Sequence, residues 1–225
     1  MSNGKVANGL TSLQNSFTAA DSTGLWYGSY AGYAGPYPDV PESDFIQNGV
    51  AKLPYIDQEF SYTNVSFDIP PAYRISGDSI EFDAVAKNPI AFHSIADYDV
   101  VLQMVGEEHS AELHFVADSS AKVYDQFYVG DKRVSNRPEL VHYFQNMSTI
   151  RLILQKDVAK VYVDGVQLGK LEYGAANRIG KLKTINVAGK GFVVVNKVQL
   201  LNSYTNQPVL LENFNTDGHS HTIFY

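Results

Sequence analysis

The sequence predicts an all-β protein in which two antiparallel sheets stack as a β-sandwich. Short segments of alternating apolar and polar residues recur along the chain, and turn signals separate them at intervals of about 8–12 residues. The 15 Tyr and 12 Phe among 225 residues also favour strands. Neither a break in composition nor a repeat of fixed period divides the chain. We therefore expect one domain over residues 17–225, preceded by a flexible lead-in over residues 1–16.

The clearest element is a three-stranded antiparallel meander over residues 148–173. Apolar residues recur at every second position in its first two strands: Ile150, Leu152, Leu154, Val161 and Val163. Lys156-Asp157 is a polar turn between these strands. Asp164-Gly165 predicts a type I′ turn, because both central residues of that turn need a positive φ. The meander has one apolar face, which needs a second layer to pack against.

Other segments continue the pattern of short strands between turn signals. The predicted strands cover residues 50–55, 61–69, 78–85, 99–105, 111–116, 123–129, 183–188, 191–202 and 209–213. Residues 136–145 predict a helical turn instead, with Asn136 as the N-cap and Pro138 in the first turn. The alternation of Val141 and Tyr143 leaves a strand open as the alternative there.

Charge and composition exclude several classes of function. The net charge of −7 argues against a nucleic-acid partner, because such a protein needs a basic surface to displace phosphate counterions. The chain has no Cys, which excludes disulfides, thiolate zinc sites and cysteine nucleophiles. The absence of Cys fits either a protein of the reducing cytosol or a bacterial exported protein.

No run of about 18 apolar residues predicts a transmembrane helix. Residues 1–16 do not form a signal peptide, so an exported protein would have lost its leader.

A loop rich in glycine and aromatic residues, over residues 18–41, is the best candidate for a ligand-binding segment. Its candidate binding residues are Trp26, Tyr27, Tyr30, Tyr33, Tyr37 and Asp39. Sugar rings stack their apolar C–H faces on Trp and Tyr, while their hydroxyls need polar groups nearby. Glu42, Asp44 and Asn48 follow directly and add such groups. The alternative is that these aromatic side chains plug one end of the sandwich.

Three stretches resemble the concanavalin A-like lectin and glucanase superfamily. They are T-I-R-L-I-L-Q-K-D-V-A-K-V-Y-V-D-G-V-Q-L-G at 149–169, K-G-F-V-V-V-N-K-V-Q-L-L-N at 190–202, and F-T-A-A-D-S-T-G-L-W at 17–26. The first is similar to the paired strands of laminin-G-like and related bacterial domains, and the second to their closing strand. The resemblance implies a two-sheet jelly roll that often binds sugar on its concave sheet. It also implies a possible structural calcium ion where the chain ends meet, with Asp21 and either Asn215 or Asp217 as ligands; no other cofactor is expected.

No catalytic residue is predicted. Retaining glucanases of this superfamily carry Glu-x-Asp-x-x-Glu, which places two carboxylates about 5–5.5 Å apart around the glycosidic bond. Glu81-Phe82-Asp83 is similar, but Ala86 stands where the third carboxylate belongs. We interpret both carboxylates as charges on the solvent face of a strand. The Asn-Ser-Gly and Arg pattern of bacterial keto-disaccharide hydrolase-like domains is also missing. His219 and His221 are two metal ligands at most, fewer than a zinc site usually has.

The favoured hypothesis is a carbohydrate-binding, lectin-like domain of a bacterial extracellular or periplasmic glycan-handling protein. A glycoside hydrolase of the same superfamily and a non-catalytic protein-adhesion domain are the alternatives. The expected partner is a carbohydrate, and neither a nucleic-acid partner nor a transmembrane segment is expected. Because the motifs that carry the resemblance are structural, they predict the fold more directly than the function.

Overall fold

The computed structural model describes residues 5–6, 10–17, 46–52, 61–87, 98–117, 122–141, 146–189, 193–214 and 223–225. Within these ranges the regular structure is β-strand, apart from two short 3₁₀ helices at Pro71–Tyr73 and Ala175–Asn177. The described residues include no helix with the length and apolar character needed to cross a membrane.

The strands, in chain order, are β1 (Lys5–Val6), β2 (Leu10–Phe17), β3 (Ile46–Gln47), β4 (Val50–Lys52), β5 (Ser61–Asp68), β6 (Ser79–Lys87), β7 (Tyr98–Gly106), β8 (Ser110–Ala117), β9 (Lys122–Val129), β10 (Lys132–Val141), β11 (Ser148–Gln155), β12 (Val158–Val163), β13 (Val166–Glu172), β14 (Leu182–Gly189), β15 (Val194–Asn202), β16 (Pro208–Glu212) and β17 (Ile223–Phe224). The strands predicted from the sequence are confirmed where the structure describes them, with small shifts at their ends.

These strands form two antiparallel sheets in the described part of the chain. The ten-stranded sheet has the order β1-β17-β16-β15-β6-β11-β12-β13. Its two other strands lie off this path: β4 pairs with β15, and β3 pairs with β4. The seven-stranded sheet has the order β10-β9-β8-β7-β14-β5-β2. Strands that are neighbours in space often lie far apart in sequence, as β15 beside β6 and β14 beside β7 show. The predicted two-sheet β-sandwich is confirmed.

One core of apolar side chains lies between the sheets and draws on both. The meander contributes Ile150, Leu152 and Leu154, which are 0% exposed as their alternation predicts. From the seven-stranded sheet come Phe115 and Phe127, which are also fully enclosed. Each such side chain contributes about 1.5–3 kcal/mol by leaving water. Burial of alternate residues therefore fixes which face of each strand points inward.

The two turns of the meander have the predicted geometry. Asp164 has a φ of 49° and Gly165 a φ of 81°, as a type I′ turn requires. Lys156 and Asp157 also have positive φ values, of 51° and 63°. Two-residue turns of this hand match the twist of the strands that they join, so these short local signals set the register of the meander.

The predicted helical turn at residues 136–145 is wrong, and the strand alternative is correct as far as Val141. Residues 132–141 form β10, which pairs with β9 at the edge of the seven-stranded sheet as described. The register shifts between Asn136 and Leu140, around Pro138. Proline has no N–H to donate, and edge strands with such irregularities are where a sheet tolerates it. Residues 142–145 lie outside the described ranges.

Two segments near the amino terminus are strands. Lys5–Val6 pairs with β17, and Leu10–Phe17 pairs with β5 at an edge of the seven-stranded sheet. The predicted domain start at residue 17 therefore falls at the last residue of a strand.

The backbone around Ile179 connects the two sheets. The amide of Gly77, just before β6, donates to Gly180 O at 2.7 Å, and the amide of Glu108, after β7, donates to Ile179 O at 3.0 Å. Ile179 itself is 0% exposed. These contacts are so close that a Cβ atom on Gly77 or Gly106 would overlap Ile179. Glycine is therefore required at both positions because a side chain would overlap Ile179, and not because the backbone has a positive φ.

Candidate functional site

Four polar residues form a row across the outer face of the seven-stranded sheet. We call Asn186, Gln103, Glu112 and Tyr128 the polar row. They come from β14, β7, β8 and β9, and each lies directly opposite the next in the strand register. Their chain neighbours belong to the core, so the row lies on the face turned away from it. Strands about 4.8 Å apart bring these four functional groups into line.

The Glu112 carboxylate is the centre of the row. Gln103 Nε2 donates to Glu112 Oε1 at 3.0 Å, and Ser110 Oγ donates to the same oxygen at 3.3 Å. His114 Nε2 lies 3.1 Å from Glu112 Oε2. Glu112 is 0% exposed and His114 2% exposed. A carboxylate this deeply enclosed needs several donors to replace its lost hydration, and these three side chains supply them.

The hydrogen bonds continue on both sides of Glu112. Asn186 Nδ2 donates to Gln103 Oε1 at 2.5 Å, which links β14 to β7. On β9, Tyr128 donates its hydroxyl to Gln126 Oε1 at 2.8 Å. The Tyr128 ring also lies against the His114 ring, with centroids 5.3 Å apart. Three amides, a carboxylate, an imidazole, a serine hydroxyl and a phenol are thus held on one sheet.

This set of groups is suited to hydrogen bonding with a polar ligand. Amides and phenols both donate and accept, whereas an ionised carboxylate only accepts. Within the polar row as described, Glu112 is the one carboxylate. Retaining hydrolysis of a glycosidic bond uses two carboxylates about 5–5.5 Å apart. The described row does not by itself present such a pair.

Glu81 and Asp83 lie on the outer face of the other sheet, on β6. Arg151 on β11 binds Asp83 through two hydrogen bonds, of 2.8 Å from Nε and 2.9 Å from a terminal nitrogen. Arg151 Nε also lies 3.1 Å from Glu81 Oε1. The bidentate pair crosses between directly opposed residues of neighbouring strands. Both carboxylates therefore pair with Arg151, and Asp83 is buried, at 8% exposed, rather than open to solvent as the sequence interpretation had it.

Glu81 has a raised pKa, which makes the stability of the protein sensitive to its charge. Burial raises the pKa, the charge of Asp83 raises it further, and Arg151 opposes both. The protonated form is favoured by folding, so the stability that it adds is present below the ordinary value of 4.5 and is lost as pH rises through the raised pKa.

We expect Glu81→Gln, which resembles the protonated side chain, to gain thermal stability relative to the wild type as pH rises from below 4.5 to neutral. Thermal unfolding of both proteins across that range measures the difference. Glu172→Gln is the matched control: Glu172 and its partner Lys170 are exposed, so its difference from the wild type should stay small across the same pH range. Parallel curves for Glu81→Gln and the wild type would contradict the raised pKa.

The residues predicted as ligand contacts lie outside the described ranges. This holds for Trp26, Tyr27, Tyr30, Tyr33, Tyr37 and Asp39. It also holds for the predicted calcium ligands Asp21, Asn215 and Asp217, and for His219 and His221. These assignments stay predictions. Among the residues that are described, no three His, Cys, Asp or Glu side chains group as metal ligands.

Comparison with known proteins identifies the architecture. No family model matches the chain, and no curated protein matches it. One solved structure does match, with 11% sequence identity. Its description concerns endo-acting O-glycanases that prominent members of the human gut microbiota express to initiate mucin breakdown. The match covers 88% of this chain and 98% of that chain, with a TM-score of 0.54. The fold is the concanavalin A-like jelly roll.

Two further structures are similar over smaller parts of the jelly roll. A Bacteroides ovatus mixed linkage glucan GH16 protein is 11% identical over 68% of this chain and 85% of that chain, with a TM-score of 0.44. A Caenorhabditis elegans galectin is 16% identical over 60% of this chain and 94% of that chain, with a TM-score of 0.38. The match with a TM-score of 0.54 confirms the fold implied by the sequence resemblance, while the chemistry has to be argued from this chain's own residues.

Sequence analysis missed the polar row. The available signal was that Glu112 and His114 alternate with buried residues in β8, as Gln126 and Tyr128 do in β9. Polar residues at alternate positions of a strand ordinarily indicate a solvent face. The jelly roll shows instead that the side chains of the row are enclosed, and that hydrogen bonds join Asn186, Gln103 and Glu112 across three strands.

Proposed function

We propose that this jelly roll is a carbohydrate-binding, lectin-like domain whose glycan contacts the polar row. One observation carries the proposal: Asn186, Gln103, Glu112 and Tyr128 stand in register across four neighbouring strands, on the face turned away from the core. Sugar hydroxyls are recognised by a few polar groups held at fixed positions. Side chains on paired strands are placed more rigidly than side chains on loops, which suits such recognition.

Binding at the polar row includes a step that opens this face. The side chains of the row, and His114 beside them, are at most 7% exposed. A glycan therefore reaches them only after a movement of the chain. Conformational steps of this kind lower association rates below those of a preformed open site.

The aromatic loop is the second part of the proposal. An aromatic stack complements a polar row, because a sugar ring has apolar C–H faces as well as hydroxyl edges. We assign the stacking role to the loop residues Trp26, Tyr27, Tyr30, Tyr33 and Tyr37, with Asp39 beside them. A structural calcium ion held by Asp21 with Asn215 or Asp217, and a place in a bacterial extracellular or periplasmic glycan-handling protein, complete the proposed role.

Asn186→Ala tests the contribution of the polar row. We expect affinity for a glycan that binds the wild type to fall at least about tenfold, because the variant loses one amide and leaves Gln103 Oε1 without its described donor. A glycan array and a panel of neutral and uronic-acid-containing soluble polysaccharides identify the ligands. Isothermal titration then measures the affinity.

Thr184→Ala is the matched control, two residues away on the same strand. Thr184 Oγ1 donates to Asp68 Oδ1 at an exposed position, so its removal should leave the affinity unchanged. Unchanged affinity in Asn186→Ala would contradict binding at the row.

Trp26→Ala tests the loop separately, and an affinity equal to that of the wild type removes the loop from the proposal. Release of reducing ends from the panel would favour the hydrolase alternative.

A further inference from the structure

A second row of polar side chains crosses the outer face of the ten-stranded sheet. We call Gln199, Asp83, Arg151, Tyr162 and Gln167 the outer row. They come from β15, β6, β11, β12 and β13, and each lies directly opposite the next in the strand register. The chain neighbours of the first four are core residues, so the row lies on the face turned away from the core. Unlike the polar row, it faces solvent: Gln199, Arg151 and Tyr162 are half-buried and Gln167 is exposed.

Asp83 holds the Arg151 guanidinium in a fixed orientation. Its two carboxylate oxygens accept from Nε and Nη2 of Arg151, at 2.8 and 2.9 Å. A guanidinium is planar and has five N–H donors, so this pair leaves Nη1 and the second N–H of Nη2 on the other edge. The Arg151 side chain is 42% exposed. Arg151 therefore presents a pair of nearly parallel donors on an open face, and little side-chain freedom is lost when a ligand accepts from them.

Amides and an aromatic ring lie on both sides of these donors. Tyr162 donates its hydroxyl to Gln167 Oε1 at 3.0 Å, which directs Gln167 Nε2 away from the ring. The half-buried Tyr162 ring offers an apolar face, on which the C–H groups of a sugar stack. Beyond Asp83, the amide of Gln199 both donates and accepts. A few such groups at fixed positions are what recognition of a polar ligand needs.

The charges around Arg151 favour a neutral ligand over an anionic one. Asp83 and Glu81 are two carboxylates beside a single guanidinium, with Oδ1 and Oε1 at 2.8 and 3.1 Å from Arg151 Nε. An anion that approaches the guanidinium also approaches both carboxylates, and like charges repel. A hydroxyl group avoids this cost, and two hydroxyls on adjacent carbons of a sugar present two acceptors side by side.

We infer that the outer row is a second ligand site of this domain and that it binds a neutral oligosaccharide. The inference goes beyond the proposed function, because the site shares no residue with the polar row and lies on the other sheet. It also needs no movement of the chain, since its donors already face solvent. A domain with a glycan site on each sheet holds two glycan chains at once, which strengthens attachment to a surface that carries many of them.

The first test locates the site on the complete chain. The probes are neutral tetrasaccharides of glucose, mannose, galactose and xylose, each titrated into nitrogen-15-labelled protein. We expect at least one of them to shift the NMR signals of Arg151 Nε and the Gln199 side-chain amide. A tetrasaccharide of galacturonic acid is the charged comparison, and we expect it to bind at least about tenfold more weakly. The inference is overturned if no neutral probe shifts these signals, or if the charged probe binds as tightly.

The second test measures affinity for the tetrasaccharide that shifts these signals, by isothermal titration. We expect at least about tenfold weaker binding in Gln199→Ala, which loses an amide, and in Arg151→Lys, which keeps the charge and loses the planar fork. Gln207→Ala, at an exposed position between β15 and β16, is the matched control and should keep the affinity. Unchanged affinity in Gln199→Ala overturns the inference even when Arg151→Lys fails to fold.

Asn186→Ala separates this site from the proposed function. Asn186 belongs to the polar row on the other sheet, so its loss should leave binding at the outer row unchanged. Binding that is lost in Asn186→Ala and kept in Gln199→Ala overturns the outer row and supports the polar row. The reverse pattern supports the outer row and contradicts glycan binding at the polar row.

Discussion

Gly106→Ala is expected to destabilise the protein by more than about 3 kcal/mol, at the upper end of what overpacking costs. A Cβ atom at this position would lie 1.8 Å from Ile179 O and 2.6 Å from Ile179 C. Both are backbone atoms, so no side-chain rotation relieves the overlap. Ile179 O also accepts the hydrogen bond from the Glu108 amide, and moving it would weaken a contact between the sheets.

Gly165→Ala separates this effect from the general cost of replacing glycine. Gly165 has a φ of 81° in an open turn, and a Cβ atom added there would have no other atom within 4 Å. The Gly165→Ala substitution therefore adds only backbone strain, and we expect it to lower the free energy of unfolding by about 1 kcal/mol. Urea unfolding of the two variants measures both losses. If Gly106→Ala costs no more than Gly165→Ala, the segment around Ile179 is free to shift and does not hold the two sheets together.

The sequence was sufficient for the meander and for the fold class, because the signals involved are local. The alternation of Ile150, Leu152 and Leu154 spans a single strand, and Asp164-Gly165 determines a turn by itself. Each signal lies within a few residues of the structure that it specifies. Burial of the same residues in the folded chain makes the local and the tertiary preferences agree.

β10 could not be predicted in the same way, because its local and tertiary preferences disagree. Asn136 and Pro138 together have the composition of a helix start. Pairing with β9 outweighs that preference, and a register irregularity at the edge of the sheet accommodates the proline. The edge position of a strand depends on the order of the whole sheet, which no short segment of sequence contains.

The polar row was beyond sequence analysis for a related reason. Gln103 and Asn186 are 83 residues apart in the chain and become neighbours only when β14 pairs with β7. Each of these residues, taken alone, is an ordinary polar side chain on a strand. The aromatic loop stood out because its unusual residues are close together in the chain. Candidate sites that are contiguous in sequence are thus easier to find than sites assembled by long-range pairing.

Glu112→Ala is the second variant for which we expect a large effect, a loss of about 3–5 kcal/mol in the free energy of unfolding. The substitution removes an enclosed carboxylate and leaves donors of Gln103, Ser110 and His114 without the acceptor that they share. Each enclosed donor that loses its partner costs about 1–3 kcal/mol. Denaturant unfolding of the complete chain measures the loss.

Glu172→Ala is the control that shows whether burial is responsible. Glu172 is also a strand carboxylate, with Lys170 Nζ at 2.6 Å, but the pair is exposed, so we expect no measurable change. A large loss for Glu112→Ala alone indicates that its hydrogen bonds stabilise the sheet. Equal, negligible losses would mean that the buried carboxylate adds no net stability.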